Sequence, residues 1–94
     1  MSITAHCLIR NEERFIYFAV MSIIHHVDKV MIWDTGSTDD TQKICWGLRK
    51  LFPATIVFKE VGEADGFRHT ELRYEMIKET KTDWVMILDC DEIW

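Results

Sequence analysis

The sequence predicts an α/β fold, a three-layer sandwich built on a mainly parallel sheet. Two observations carry that expectation. Short, nearly continuous apolar runs alternate with segments whose apolar residues recur at helical spacing. Strands that are apolar on both faces belong in a parallel sheet covered by helices on each side, with right-handed crossovers between them. The second observation is that polar clusters follow the first, second and fourth runs, so the chemistry collects at the carboxyl ends of strands.

Composition agrees with a packed single domain. The chain has 94 residues, 48% of them hydrophobic, with four Trp and five Phe, which is ample for a core and excludes disorder. Sixteen acids against 11 Lys+Arg give a net charge of −5, the wrong sign for a nucleic-acid or anionic-membrane binding face. Cys7, Cys45 and Cys90 are an odd number without close spacing. That pattern favours reduced thiols in a cytoplasmic protein over a disulfide scaffold. The start, MSITAHCLIRNEE, reaches charge too soon for a signal peptide, and no apolar run is long enough to span a bilayer.

SITAHCLI (Ser2 to Ile9) reads as the first strand. Asn11 is placed to cap the helix that follows, with Glu12 and Glu13 in its first turn and apolar residues at Phe15, Phe18, Ala19, Ile23 and onward to His26. KVMIW is the second strand, halting at Asp34. TGSTDDT is a turn, from which Ser37 or Thr38 caps a helix through Ile44, Leu48 and Leu51 that Pro53 stops. ATIVFKEV is the third strand and GEADG a loop. A helix from about Phe67 to Thr80 carries Leu72, Met76 and Ile77 on one face, and TDWVMILD is the fourth strand.

With strand order 3-2-1-4, the loops Arg10-Asn11-Glu12, Asp34-Thr35-Gly36-Ser37 and Asp89-Cys90-Asp91-Glu92 become neighbours, where parallel sheets bind ligands. Asp89 and Asp91, one residue apart after a buried run, suit an oxygen-liganded divalent cation, Mg²⁺ or Mn²⁺. The plainer reading is a solvated acidic turn. The apolar WVMIL run and the neighbouring loops favour the site. In WDTGSTDDT, an Asp at a strand end beside backbone N–H groups is able to hold a base or ribose, and the plainer reading is a turn with Gly36 at positive φ. No phosphate-binding P-loop pattern occurs.

Other candidates read as structural. Adjacent His25 and His26 diverge by about 100° on a helix and fit core or boundary positions better than one metal. His6 and Cys7 face opposite sides of a strand. Cys45 reads as core packing. Arg68 and Arg73 lie on a helix whose start is able to face the cleft, although solvated surface is the ordinary fate of such residues.

Three segments taken together resemble one family. SITAHCLIRNEE is similar to the first strand and Asn-Glu-Glu loop of family 2 glycosyltransferases with the GT-A fold, VMIWDTGSTDDT to their second-strand signature, and DWVMILDCDE to their D-x-D motif. Order and spacing agree over essentially the whole chain. The resemblance implies a Rossmann-like donor-nucleotide half of a GT-A domain over residues 1–94, with the acceptor half and the general base expected beyond Trp94.

It also implies roles. The backbone at Leu8 and Ile9, with Arg10, Asn11 and Glu12, would line the nucleotide pocket. Asp34 would order the second loop and help place the base beside Thr35. Arg73 matches the arginine of an Ala-Arg-Asn triplet. Asp89 would reach the ribose or share the metal, next to Cys90, and Asp91 would be the principal metal ligand. The sequence departs from the family at Thr35, where many members have a second aspartate, at Tyr74 in place of the triplet's Asn, and at Leu8 in place of Pro or Thr.

The implied activity is metal-dependent transfer of a sugar from a nucleoside-diphosphate sugar, UDP foremost, to an acceptor hydroxyl of a glycan or other molecule, with inversion. These 94 residues would bind the donor without turning it over. The alternatives are a nucleotidyltransferase, which would transfer the nucleotide, and a non-catalytic binding or assembly module, which would show no metal-dependent nucleotide binding. Self-association of the chain through the fourth strand is also expected.

Overall fold

The computed structural model describes residues 2–63 and 66–88. Within them the elements run β1 (Ile3–Ile9), α1 (Ile16–Ile23), β2 (Lys29–Asp34), α2 (Thr41–Leu51), β3 (Ile56–Glu60), α3 (Gly66–Glu79) and β4 (Trp84–Ile87). The strands form one all-parallel sheet in the order β3-β2-β1-β4. This is the Rossmann-like α/β arrangement that the apolar runs predict.

The alternation of side chains along each strand sorts the core into two layers. Ala5, Cys7 and Ile9 of β1, with Val30 and Ile32 of β2, pack on Ile16, Ala19, Val20 and Ile23 of α1 and on Cys45 and Leu48 of α2. On the opposite face, Met31 and Trp33 of β2 meet Leu72 and Met76 of α3, with Leu8 and Val61 against them. His6 belongs to this second side, where its ring reaches the Thr80 hydroxyl, so Cys7 and His6 do face opposite ways.

The register places strand ends together. Ile9 pairs with Asp34, and Asp34 with Glu60, so β1, β2 and β3 finish on one line. Beyond it the loop residues 10–15, 35–40 and 61–63 emerge from the same edge of the sheet.

Several local expectations are corrected. Asn11 does not cap α1. It sits at φ 53, in the left-handed region, and α1 begins after Phe15 with no side-chain cap. The amides at its start close on a main-chain oxygen instead: those of Phe15, just before the helix, and Ile16, its first residue, donate to the Glu12 carbonyl at 3.1 and 2.9 Å. Neither Ser37 nor Thr38 caps α2, which begins at Thr41 after Asp40. The Asp39 carboxylate receives the Thr41 amide at 2.9 Å, and both expected caps are drawn into other bonds.

The helical phase of α1 is also shifted. Phe15 and Phe18 are exposed while Ile16, Ala19, Val20 and Ile23 are buried. The aromatic and aliphatic spacings overlap in this segment, and the sheet selects the narrower aliphatic stripe. Ile77 is likewise exposed, because Leu72 and Met76 already fill the seam of α3 against β2. His25 and His26 are exposed rather than core or boundary residues. In β4, Trp84, Val85 and Ile87 remain exposed, since the strand lies at the sheet edge.

Candidate functional site

The site begins with Asp34, the last residue of β2. It is buried, yet its carboxylate is fully engaged. Oδ2 accepts the amides of Gly36 at 3.1 Å and Ser37 at 2.9 Å, and the side-chain amide of Gln42 at 2.7 Å. Oδ1 accepts the Ser37 hydroxyl. A carboxylate with no access to water is costly unless its oxygens are bonded in this manner. The two amides bend the chain back over the strand end, as an aspartate does when it bonds N–H groups two or three residues on. Gly36, at φ +95, completes the bend.

This turn is tied to the loop after β1. Asn11 accepts the Thr38 amide on its side-chain oxygen at 2.8 Å, and its own amide donates to the Ser37 hydroxyl oxygen at 2.9 Å. The Glu12 amide donates to the buried Thr41 hydroxyl at 2.8 Å, and the Asp40 amide to the Glu13 carboxylate at 3.1 Å. The amides of Gly36, Ser37, Thr38, Asp40 and Thr41 are therefore all spent inside the paired loops. Asp39 takes part through Thr41. Partial burial works against its ionisation, but the Thr41 hydroxyl and amide outweigh this and hold its carboxyl below the usual range.

The loop after β3 closes the third side. The Val61 amide donates to the Asp34 carbonyl at 2.8 Å. Glu63 crosses Gly36 closely, its backbone nitrogen 3.4 Å from where a Cβ would stand. Arg10 reaches Glu63 at 3.9 Å, a solvent-exposed and hence weak ion pair.

The sequence-predicted residues fall as follows. Leu8 is partly buried against the α3-side core, and Ile9 is buried with its carbonyl accepting both the amide and the hydroxyl of Thr35, each at 2.9 Å. Thr35 is thus turned inward, and its polar atoms serve the β1–β2 joint. Arg10, Asn11, Glu12 and Asp34 converge at the loops. Arg73 stands on the outer part of α3, near enough for its charge to bear on His6. Asp89, Cys90 and Asp91 lie outside the described residues. Among the described residues, no group of three or more His, Cys, Asp or Glu side chains is placed to hold a metal. No helix among them is long and apolar enough to cross a membrane.

Sequence reasoning missed Ser37, Thr41 and Gln42 as partners of the loops. Ser37 had a local signal, an Asp three residues before it at a strand end. Gln42 had none, because its bond depends on where α2 docks.

A cavity of about 220 Å³ lies elsewhere, lined by Thr4, Lys29, Met31, Val57 and residues 79–82. Those strand positions are at or near the amino ends, opposite the paired loops. None of the bonded loop groups lines it.

Comparison with known proteins accords with this geometry. Residues 8–94 match the family described as glycosyl transferase family 2, a span that takes in all three loops. No curated protein matches the chain.

Proposed function

Because this chain belongs to the family 2 glycosyltransferases, we propose that it forms the donor-nucleotide side of a metal-dependent sugar transferase. The observation that supports this most is the joining of the β1 and β2 loops at the carboxyl ends of the strands, through Asn11, Ser37 and Asp34. A nucleotide bound there meets a floor whose polar groups are already satisfied, so the walls hold their shape when the ligand displaces water.

Each residue has a distinct task in this reading. Arg10, exposed at the lip, offers a cation to the nucleotide, and the main chain at Leu8 and Ile9 forms the floor. Asn11 and Asp34 set the loops, Glu12 lines the pocket, and Thr35, bonded through its amide and hydroxyl to the Ile9 carbonyl, fixes the joint beside the base. Arg73 and Cys90 complete the nucleotide set. Asp91, with Asp89, would hold Mg²⁺ or Mn²⁺; oxygen ligands of this kind suit either cation. Bound there, the cation would supply positive charge against the leaving diphosphate. In this reading none of these residues is the base that deprotonates the acceptor hydroxyl, so the 94-residue chain binds donor without transferring sugar.

Calorimetry with UDP tests the reading. Affinity should rise when Mn²⁺ or Mg²⁺ is present, and Asp91→Asn should remove most of that gain. Equal affinity with and without the cation, in the native chain, would refute metal-assisted donor binding. Release of free sugar or transfer to an acceptor by the 94 residues alone would refute the placement of the base. Transfer of the nucleotide instead of the sugar would identify a nucleotidyltransferase.

A further inference from the structure

Gln42 belongs to neither loop. It lies in the first turn of α2, whose first residue, Thr41, is buried, and whose inner face carries Cys45 and Leu48 into the core. Its side-chain amide nevertheless crosses back eight residues to Asp34 Oδ2 at 2.7 Å, the shortest of the bonds to that oxygen. Asp34 in turn holds the Gly36 and Ser37 amides and the Ser37 hydroxyl, and that hydroxyl oxygen receives the Asn11 amide. A continuous chain of hydrogen bonds thus runs from the body of α2, through a buried carboxylate, to the loop after β1.

We propose that Gln42 is a positioning residue for the donor cleft: it locks the β2 loop to helix α2, and through Asp34 and Ser37 it sets where the β1 loop stands. The inference rests on the donor-binding reading for its functional half, while its structural half stands on the bonds themselves. The physical reason is the burial of Asp34. With no water to replace a lost donor, removing the Gln42 amide leaves Oδ2 dependent on two main-chain amides, and the turn opens to recover solvent. An opened turn releases Ser37 from Asn11, which moves the cleft wall without Gln42 touching any ligand.

Gln42→Met keeps length and helix propensity while deleting the donor. Gln42→Glu keeps the shape and sets a second carboxylate against Asp34. Ile23→Val, a core change in α1 remote from the loops, serves as the stability control. Amide exchange is followed in the 94-residue chain without ligand, and UDP affinity is measured with Mn²⁺ at the same temperature.

Gly36 and Ser37 amides should exchange about tenfold faster in Gln42→Met and faster still in Gln42→Glu, a tenfold change being the size expected for one lost bond to a charged group. UDP affinity should fall by a similar factor, while Ile23→Val leaves both unchanged. Unaltered exchange at Gly36 and Ser37 in Gln42→Met would overturn the inference, as would an equal acceleration in Ile23→Val. Accelerated exchange with native UDP affinity would overturn its functional half. If the native chain binds no UDP at all, the donor reading fails, and accelerated exchange still upholds Gln42 as the lock on the loop.

Discussion

Asn11 accepts the main-chain amide of Thr38 at 2.8 Å, joining two loops that lie 27 residues apart in the chain. It does so from φ 53, a backbone conformation that asparagine tolerates better than other side-chain-bearing residues. One residue thus meets two requirements, a left-handed bend and a cross-loop acceptor.

The two requirements separate by mutation. Asn11→Gly retains the bend and loses the acceptor, while Asn11→Ala loses both. The left-handed conformation costs an alanine about 1–2 kcal/mol, and the lost hydrogen bond adds about 1 kcal/mol. Urea denaturation should therefore rank native above Gly above Ala. Equal stability of the two variants would show that the bend carries no strain.

Gly36 gives a related expectation. An added Cβ would stand 3.2 Å from Glu63 Cγ, a contact that a flexible side chain relieves by turning, whereas φ +95 strains any L residue regardless of space. Gly36→Ala should cost about 1–2 kcal/mol, and adding Glu63→Ala should recover little of it. Full recovery in the double variant, measured by denaturation, would mean that the contact dominates.

His6 predicts a pH dependence. Its ring is buried, its Nε2 lies 2.6 Å from the Thr80 hydroxyl oxygen, and that hydroxyl donates to the Met76 carbonyl at 2.7 Å. Nε2 therefore carries the proton of a neutral ring. Burial first, and the Arg73 charge second, lower its pKa below the ordinary value of 6.5. The unfolded chain then binds the extra proton at higher pH than the folded one. Stability from this group is complete above about pH 6.5 and declines as pH falls toward the folded pKa, with a slope of at most about 1.4 kcal/mol per pH unit. Denaturation midpoints across pH 5 to 8 should show the decline, and His6→Gln should flatten it. An unchanged slope in that variant would assign the effect to another group.

The β4 edge predicts self-association. Trp84 and Ile87 are 59% and 51% exposed on a strand that pairs only with β1 among the described residues. Open edges with apolar side chains invite pairing with a second chain, and burying a few hundred Å² of apolar surface yields several kcal/mol at about 25 cal/mol per Å² before association entropy is subtracted. Sedimentation over a concentration series should show dimers or larger species, which Ile87→Lys should dissolve. A monomer throughout would exclude assembly at this edge.

The sequence by itself determined the alternation of strands and helices and the strand ends that carry the polar loops, whereas the order β3-β2-β1-β4 that gathers those loops is a property of the folded sheet. The first two rest on local information: runs of apolar residues, turn residues at Gly36 and Pro53, and the covering that a buried parallel strand requires. Membership of the family was legible for the same reason, since its motifs are short and contiguous. The roles of single polar side chains were decided by tertiary structure. Asn11, Ser37 and Thr38 all have cap-forming chemistry, and a capping residue bonds its own helix unless a better partner lies across the fold; here the docking of two loops supplied that partner. The same docking brought Gln42 to Asp34 and turned the Thr35 hydroxyl to the Ile9 carbonyl. The phase of α1 was settled likewise, because several stripes of its apolar residues were compatible with a helix and only the sheet surface selected Ile16, Ala19, Val20 and Ile23 for burial. Hydrogen-bond choice and helix phase depend on which surfaces meet, and residues far apart in sequence acquire that relation only when the chain is folded.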